Sequence, residues 1–250
     1  MIWIILPAYN EEESLPLLLN TIKETFHNKD YTYKVLVVND GSTDRTLDVA
    51  KKYENNMPLE IFDHGKNMGL GKAILNGLKH ALKKTENGDI IITLDADNTH
   101  PPSLFIPMIN KINEGFDIVI ASRYAKGGRE VGLSPIRKVL SRTASMIIKS
   151  GFNVGAAKDC TCGFRAYKPS FLRRAFDIYG DNLVSESSFV CMSEILIKLS
   201  SLGASINEVP LVLRYDMKKG SSKMKFIYTI LRYINLILRK KSLLKNVNTD

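Results

Sequence analysis

The sequence predicts an α/β protein: a Rossmann-like, mostly parallel sheet with flanking helices and a C-terminal amphipathic helix. Three observations carry this. Short β-branched runs alternate with longer segments of helical apolar spacing. Some runs, such as DIIITL at 89–94, are apolar on both faces, as strands of a parallel sheet covered on both sides are. The chain has 250 residues, 44% apolar and 24% charged, enough for one large core.

Residues 2–6 are a strand candidate. With no basic segment before the run and no cleavage signal after it, it does not read as a signal peptide. Residues 12–26 are expected to be helical, because apolar side chains fall at 15, 18, 19, 22 and 26. Strands follow at 33–38 and 59–62, with a helix at 45–53 between them. A helix at 70–82, the strand at 89–94, a helix at 104–112 and a strand at 117–121 continue the alternation. Beyond residue 123, Gly127, Gly128, Gly132 and Pro135 mark a loop. Helices are expected at 135–150, 169–176 and 188–202, one strand at 206–213 and a last helix at 224–241. The economical division is a body of residues 1–223 and a basic amphipathic tail of residues 224–250.

Lys and Arg number 35 against 26 Asp and Glu, a formal charge of +9. Such an excess favours anionic partners: nucleic acid, anionic lipid or phosphorylated small molecules. No stretch is long and apolar enough for a membrane span. Cys160, Cys162 and Cys191 form neither a disulfide framework nor a zinc pattern, so buried or free thiols and a cytoplasmic setting are expected.

Against this basic background, acids gather at strand ends. The first strand ends in Tyr9-Asn10-Glu11-Glu12, the second in Asn39-Asp40-Gly41-Ser42-Thr43-Asp44, and DIIITL in Asp95-Ala96-Asp97. In a parallel sheet these ends share one edge, where ligands bind. Singly, each has a local reading: Asn10 with Glu13 as a capping box, Asp44 as a cap, Asp95–Asp97 as a turn. Together, carboxylates repel unless a cation sits among them, and Asp-x-Asp suits Mg²⁺ or Mn²⁺ carrying a diphosphate.

LPAYNEEESL, VVNDGSTDRT, NMGLGKAILNGL and LDADNTHPP together resemble the nucleotide-sugar-binding half of family-2 glycosyltransferases of the GT-A fold. ASRYAKGGREVGLSPIRKVLSRTAS, DCTCGFRAY and VPLVLRYDMKKGSSKMK resemble the polyprenyl-phosphate (dolichyl-phosphate) mannose synthases. The likeness covers residues 2–226. It implies nucleoside contacts from Pro7, Tyr9, Glu11 and Asp40, with Asp95 also on the nucleotide. Gly71 and Lys72 would approach the nucleotide, and Asp95, Asp97 and Asn98 would hold the metal. It implies phosphate binding by Arg123, Arg137, Arg165, Arg214 and Lys223. Arg123 and Arg165 are singled out independently, because both lie among apolar residues and buried arginine is costly without an anion. Arg129 and Arg142 read as surface charge.

The implied reaction moves a hexose, mannose from GDP-mannose, onto polyprenyl phosphate with inversion. A hydroxyl acceptor on a glycan is the alternative, and would need a carboxylate base. A nucleic-acid-binding module ranks below both, because no stacking-aromatic motif accompanies the basic charge. From Met217 to Lys245 there are nine basic and no acidic residues. Ile227, Ile230, Leu231, Ile234, Ile237 and Leu238 form one stripe, suiting the tail to an anionic membrane surface and the enzyme to a peripheral position at its cytoplasmic face.

Overall fold

A computed structural model describes residues 1–219, 226–239 and 243–244. The β-branched runs form the centre of a seven-stranded sheet. In chain order the elements are β1 (Ile2–Ala8), α1 (Leu15–Phe26), β2 (Tyr33–Asn39), α2 (Thr46–Glu54), β3 (Leu59–Asp63), α3 (Leu70–Leu82), β4 (Ile90–Thr93) and α4 (Phe105–Asn113). Then come β5 (Ile118–Ser122), β6 (Arg129–Val131), α5 (Pro135–Gly151), β7 (Arg165–Tyr167), α6 (Pro169–Tyr179), α7 (Cys191–Ser201), β8 (Ile206–Pro210), β9 (Val212–Arg214) and α8 (Phe226–Leu238). The large sheet runs β3-β2-β1-β4-β7-β5-β8, and β6 and β9 form a small second sheet.

β1, β4 and β5 are buried along their whole length, which is why they lack polar alternation. Leu15, Leu18, Leu19, Ile22 and Phe26 of α1 face this core, on the spacing the sequence predicts. Because β2, β1 and β4 are parallel neighbours, the loops after Ala8, Asn39 and Thr93 emerge at one edge.

The second half departs from the expected pattern. β7 runs antiparallel between β4 and β5, and its three residues are too few to carry a period. The strand expected at 206–213 is two strands. After Pro210 the chain leaves β5, and β9 pairs with β6, in a region read as loop. Helix α1 begins at Leu15, because residues 10–12 are engaged with the loop after β2.

Two helices, α5 and α8, each expose several large apolar side chains. α5 buries only Ala144, Ser145 and Ile148, while Ile136, Val139 and Met146 are 66%, 63% and 70% exposed. α8 buries Leu236 but exposes Leu231 and Leu238, the latter to 80%. One side of α8 is thus packed on the body and another leaves apolar side chains exposed. The rest of the predicted tail lies partly outside the described residues. Among the described residues no helix is long and apolar enough to cross a membrane.

Candidate active site

At the shared sheet edge the loops after β1 and β2 are stitched together. Asn10, at φ 54°, accepts from the Thr43 amide at 2.8 Å and donates its own amide to Ser42 Oγ at 3.0 Å. The Glu11 amide donates to Thr46 Oγ1 and the Glu12 amide to Asp44, so Asn10 and Glu13 form no capping box. Asp44 does cap α2, accepting from the Thr46 amide at 2.9 Å. Gly41, at φ +66°, passes so close to the Lys66 backbone that a Cβ would lie 2.2 Å from it.

Asp40 is buried and fully engaged. Oδ1 accepts from the Met68 amide at 2.8 Å and from His64 Nδ1 at 2.7 Å, and Oδ2 accepts from the Gly69 amide at 2.9 Å. Asn76 Nδ2 lies 3.0 Å from His64 Nε2, which orients the ring. Asp40 thus pins the loop that enters α3.

Pro7, Tyr9, Glu11 and Asp40 line one side of a cavity of about 720 Å³. Asp95, Asp97 and His100 form its floor. One ligand atom from each of these three lies within 4.8 Å of the others. Asp97 Oδ1 accepts from Thr99 Oγ1 at 2.7 Å and Oδ2 pairs with Lys218. Burial lifts the Asp95 carboxyl above its ordinary range; His100 and Lys218 oppose this and the Asp97 charge adds to it. Burial acts on Asp97 too, but Lys218, His100 and the Thr99 hydrogen bond outweigh it and hold that carboxyl below its ordinary range. His100 is 5% exposed, and among the described residues its Nδ1 has no hydrogen-bond partner. Two hard carboxylates and an orphaned buried imidazole nitrogen fit a divalent cation such as Mn²⁺ or Mg²⁺.

The lining is also basic and hydroxylic. Arg123 is clamped by Asp159 through Nε and Nη2, both at 2.6 Å, and Nη2 also reaches Thr161 Oγ1 at 2.6 Å. Ser141 Oγ lies 2.9 Å from Thr161 Oγ1 and accepts from Tyr124 at 3.0 Å. Burial pushes the Tyr124 phenol up to about 12, against the pull of Arg123. Arg137 bonds the Tyr215 hydroxyl and lies over its ring. Among the described residues it makes no ion pair with a carboxylate. From there the cavity continues between α5 and α8, past Leu140, Ile147, Ile230, Ile234 and Ile237. Tyr233 and Arg232 fasten α8 to Ser193 and Glu186.

The chain belongs to glycosyl transferase family 2, whose model matches residues 3–176. A dolichol-phosphate mannosyltransferase of Pyrococcus furiosus is 32% identical over 94% of this chain, which spans 63% of that protein's length. An undecaprenyl-phosphate mannosyltransferase of Micrococcus luteus is 31% identical, with 88% of this chain and 86% of that one covered. A polyprenol monophosphomannose synthase of Mycolicibacterium smegmatis is 30% identical over 88% of this chain and 80% of its own. In fold, glucosyl-3-phosphoglycerate synthase of Mycobacterium tuberculosis, solved with Mn²⁺, UDP and phosphoglyceric acid, superposes with a TM-score of 0.64 at 18% identity. That match covers 100% of this chain and 79% of the other. The α/β GT-A-like architecture is thus that of glycosyltransferases.

Of the residues read from sequence, Pro7, Tyr9, Glu11, Asp40, Asp95, Asp97, Arg123 and Arg137 meet in this cavity. Others do not. Asn98 sits at φ 61° in the turn after Asp97 and does not line the cavity; His100 stands with the two aspartates instead. Arg165 is fully buried in β7 and donates to the carbonyls of Met192 and Cys160, so its charge is balanced by backbone dipoles and not by a ligand. Arg214 is exposed and paired with Asp216. Gly71 gives its amide to Ser187 O, and a Cβ there would lie 1.7 Å from Glu186 O, so it serves the packing of the 185–189 segment. Lys72 is exposed on α3, away from the cavity. Lys223 lies outside the described residues. The sequence reading missed His100, Lys218, Ser141, Thr161 and Tyr215. Only His100, three residues beyond Asp97, carried a local signal. The three thiols are buried and free, as expected; burial pushes Cys160 up to about 11 and Cys162 up to about 12.

Proposed function

We propose that this protein is a metal-dependent, inverting glycosyltransferase that moves mannose from GDP-mannose to the phosphate of polyprenyl (dolichyl) phosphate. One observation carries the reading: a carboxylate–imidazole cluster, a guanidinium with no acid partner among the described residues and an apolar passage share a single cavity. The relatives named as polyprenyl-phosphate mannosyltransferases support the same substrates.

Pro7 and Tyr9 line the nucleoside end, and Asp40 keeps the loop entering α3 in place behind it. Asp95, Asp97 and His100 would hold the Mn²⁺ or Mg²⁺, which when bound supplies charge stabilisation for the leaving diphosphate. Arg137, with the Ser141 and Thr161 hydroxyls, holds the acceptor phosphate. A phosphate oxygen forms the bond to the anomeric carbon as the bond to the diphosphate breaks, and GDP leaves. A phosphate monoester has a second pKa near ~6, so it attacks without a base. This suits a cavity whose Asp40 and Asp97 oxygens already accept protein hydrogen bonds. The prenyl chain lies between α5 and α8. The exposed faces of these helices, with Lys138, Arg142 and Arg239, rest on an anionic membrane surface.

The test is glycolipid formation from a panel of GDP- and UDP-sugars with Mn²⁺ and a short polyprenyl phosphate. GDP-mannose is the expected donor; turnover only with hydroxyl acceptors would defeat the proposal. Arg137→Ala should raise KM for polyprenyl phosphate by about tenfold or more, the cost of one lost charge-assisted pair, and leave KM for GDP-mannose little changed. Leu231→Glu with Leu238→Glu should weaken co-sedimentation with anionic vesicles while activity on a water-soluble acceptor persists. Equal co-sedimentation would count against the membrane face. Deleting residues 224–250 is a poorer test, because α8 also walls the cavity.

A further inference from the structure

We propose that Lys218 is an internal counter-cation: it competes with the divalent ion for the Asp97 carboxylate, is displaced when that ion binds, and so sets the metal affinity. This rests on the metal reading above.

Both Asp97 oxygens are already engaged by protein donors. Oδ1 accepts from Thr99 Oγ1 at 2.7 Å and from the Thr99 amide at 3.2 Å, and Oδ2 pairs with the Lys218 ammonium. The two paired side chains are 11% and 12% exposed, so water screens them little. A divalent ion drawn to Asp95, Asp97 and His100 needs Asp97 lone pairs and meets a positive charge already using them. Two cations on one buried carboxylate repel strongly, because the local dielectric is low.

Arg123, which also lies near the cluster, cannot take this part, because Asp159 holds it by two 2.6 Å bonds. Among the described residues Lys218 has no second ion pair: it pairs with Asp97, and the Glu11 and Asp95 charges act on it from farther off. It would also keep a partner once released. The Tyr215 ring lies 5.8 Å from Lys218 Nζ and 5.4 Å from the Arg137 guanidinium. A charge released from Asp97 therefore finds an aromatic face within the same turn, beside the cation assigned to the acceptor phosphate.

Mn²⁺ titration of the nucleotide-free protein, read by electron paramagnetic resonance, tests this. Lys218→Met should bind Mn²⁺ more tightly by about tenfold, and Lys218→Arg should stay near the wild-type value. Wild-type protein supplies a second readout. Lys218 acetylation, followed by mass spectrometry with exposed Lys219 as internal reference, should accelerate when Mn²⁺ is added. Unchanged or weaker Mn²⁺ binding by Lys218→Met, or Lys218 labelling that stays constant or slows with Mn²⁺, would overturn the inference and leave the metal site standing. Failure of Mn²⁺ to bind any of these proteins would overturn both.

Discussion

Asp97→Asn is expected to lower kcat/KM for glycolipid formation by about 10²–10³-fold or more, while the protein stays folded. The magnitude is that of removing one group that stabilises developing charge in a buried site. The substitution keeps the side-chain volume and the Thr99 contact but removes the charge that Lys218 and a divalent ion both require. Because Asp97 and Lys218 lie in loops outside the strands and helices of the core, far-UV circular dichroism should be unchanged and the melting temperature should move by a few degrees at most. Steady-state kinetics at saturating Mn²⁺ checks this. Full activity of Asp97→Asn would remove the floor of the cavity from the chemistry.

Asp159→Asn should have the opposite signature, a large loss of stability. The Asp159 side chain is fully buried, and it takes two bonds from the Arg123 guanidinium as well as the amides of Arg123, Thr161 and Cys162. Neutralising it leaves the Arg123 charge, at a site where its side chain is 10% exposed, with the looser Glu130 contact at 3.6 Å in place of two 2.6 Å bonds. Breaking a buried pair from one side costs about 3–5 kcal/mol. For a chain of this size that is a fall of roughly 6–20 °C in melting temperature. Replacing both partners, as in Arg123→Met with Asp159→Leu, should be milder than the single change.

The same pair has a pH signature. Burial alone would raise the Asp159 carboxyl, but the Arg123 charge and hydrogen bonds hold it below the ordinary range. A carboxyl depressed in the folded state stabilises the fold above its unfolded pKa of about 3.9, and that contribution fades as pH falls towards the folded value. Wild-type stability should therefore drop more steeply below about pH 5 than that of Asp159→Asn. Denaturant melts at stepped pH measure it; parallel curves would show that the pair is not the source.

The first half of the fold was legible because it obeys simple periods. Apolar stripes mark α1 and α3, and β4 is apolar throughout because both its faces are covered. The acidic strand ends were legible for the same reason, since parallel neighbours must deliver Asp40 and Asp95 to one edge. The second half was read less well. β7 is three residues long and antiparallel, so neither length nor period announced it. Arg165 shows the limit of arguing from burial alone. A buried guanidinium needs acceptors, and here two carbonyl oxygens supply them to the Nη atoms, while Nε has no partner among the described residues. Lys218 was hidden for the converse reason. In sequence it is one of nine basic residues in a run, and only the chain's return beneath Thr99, where the Arg214 amide meets the Thr99 carbonyl, brings it to Asp97.

The central claim is that Asp95, Asp97 and His100, all in the loop after β4, grip one divalent ion that presents a nucleoside diphosphate. Manganese anomalous scattering from crystals soaked with Mn²⁺ and GDP tests it most directly. The account predicts a single strong peak bonded to Asp95, Asp97 and His100, with the guanosine beside Pro7, Tyr9 and Asp40. A cavity without manganese, its acids turned to solvent while GDP binds elsewhere, would contradict it.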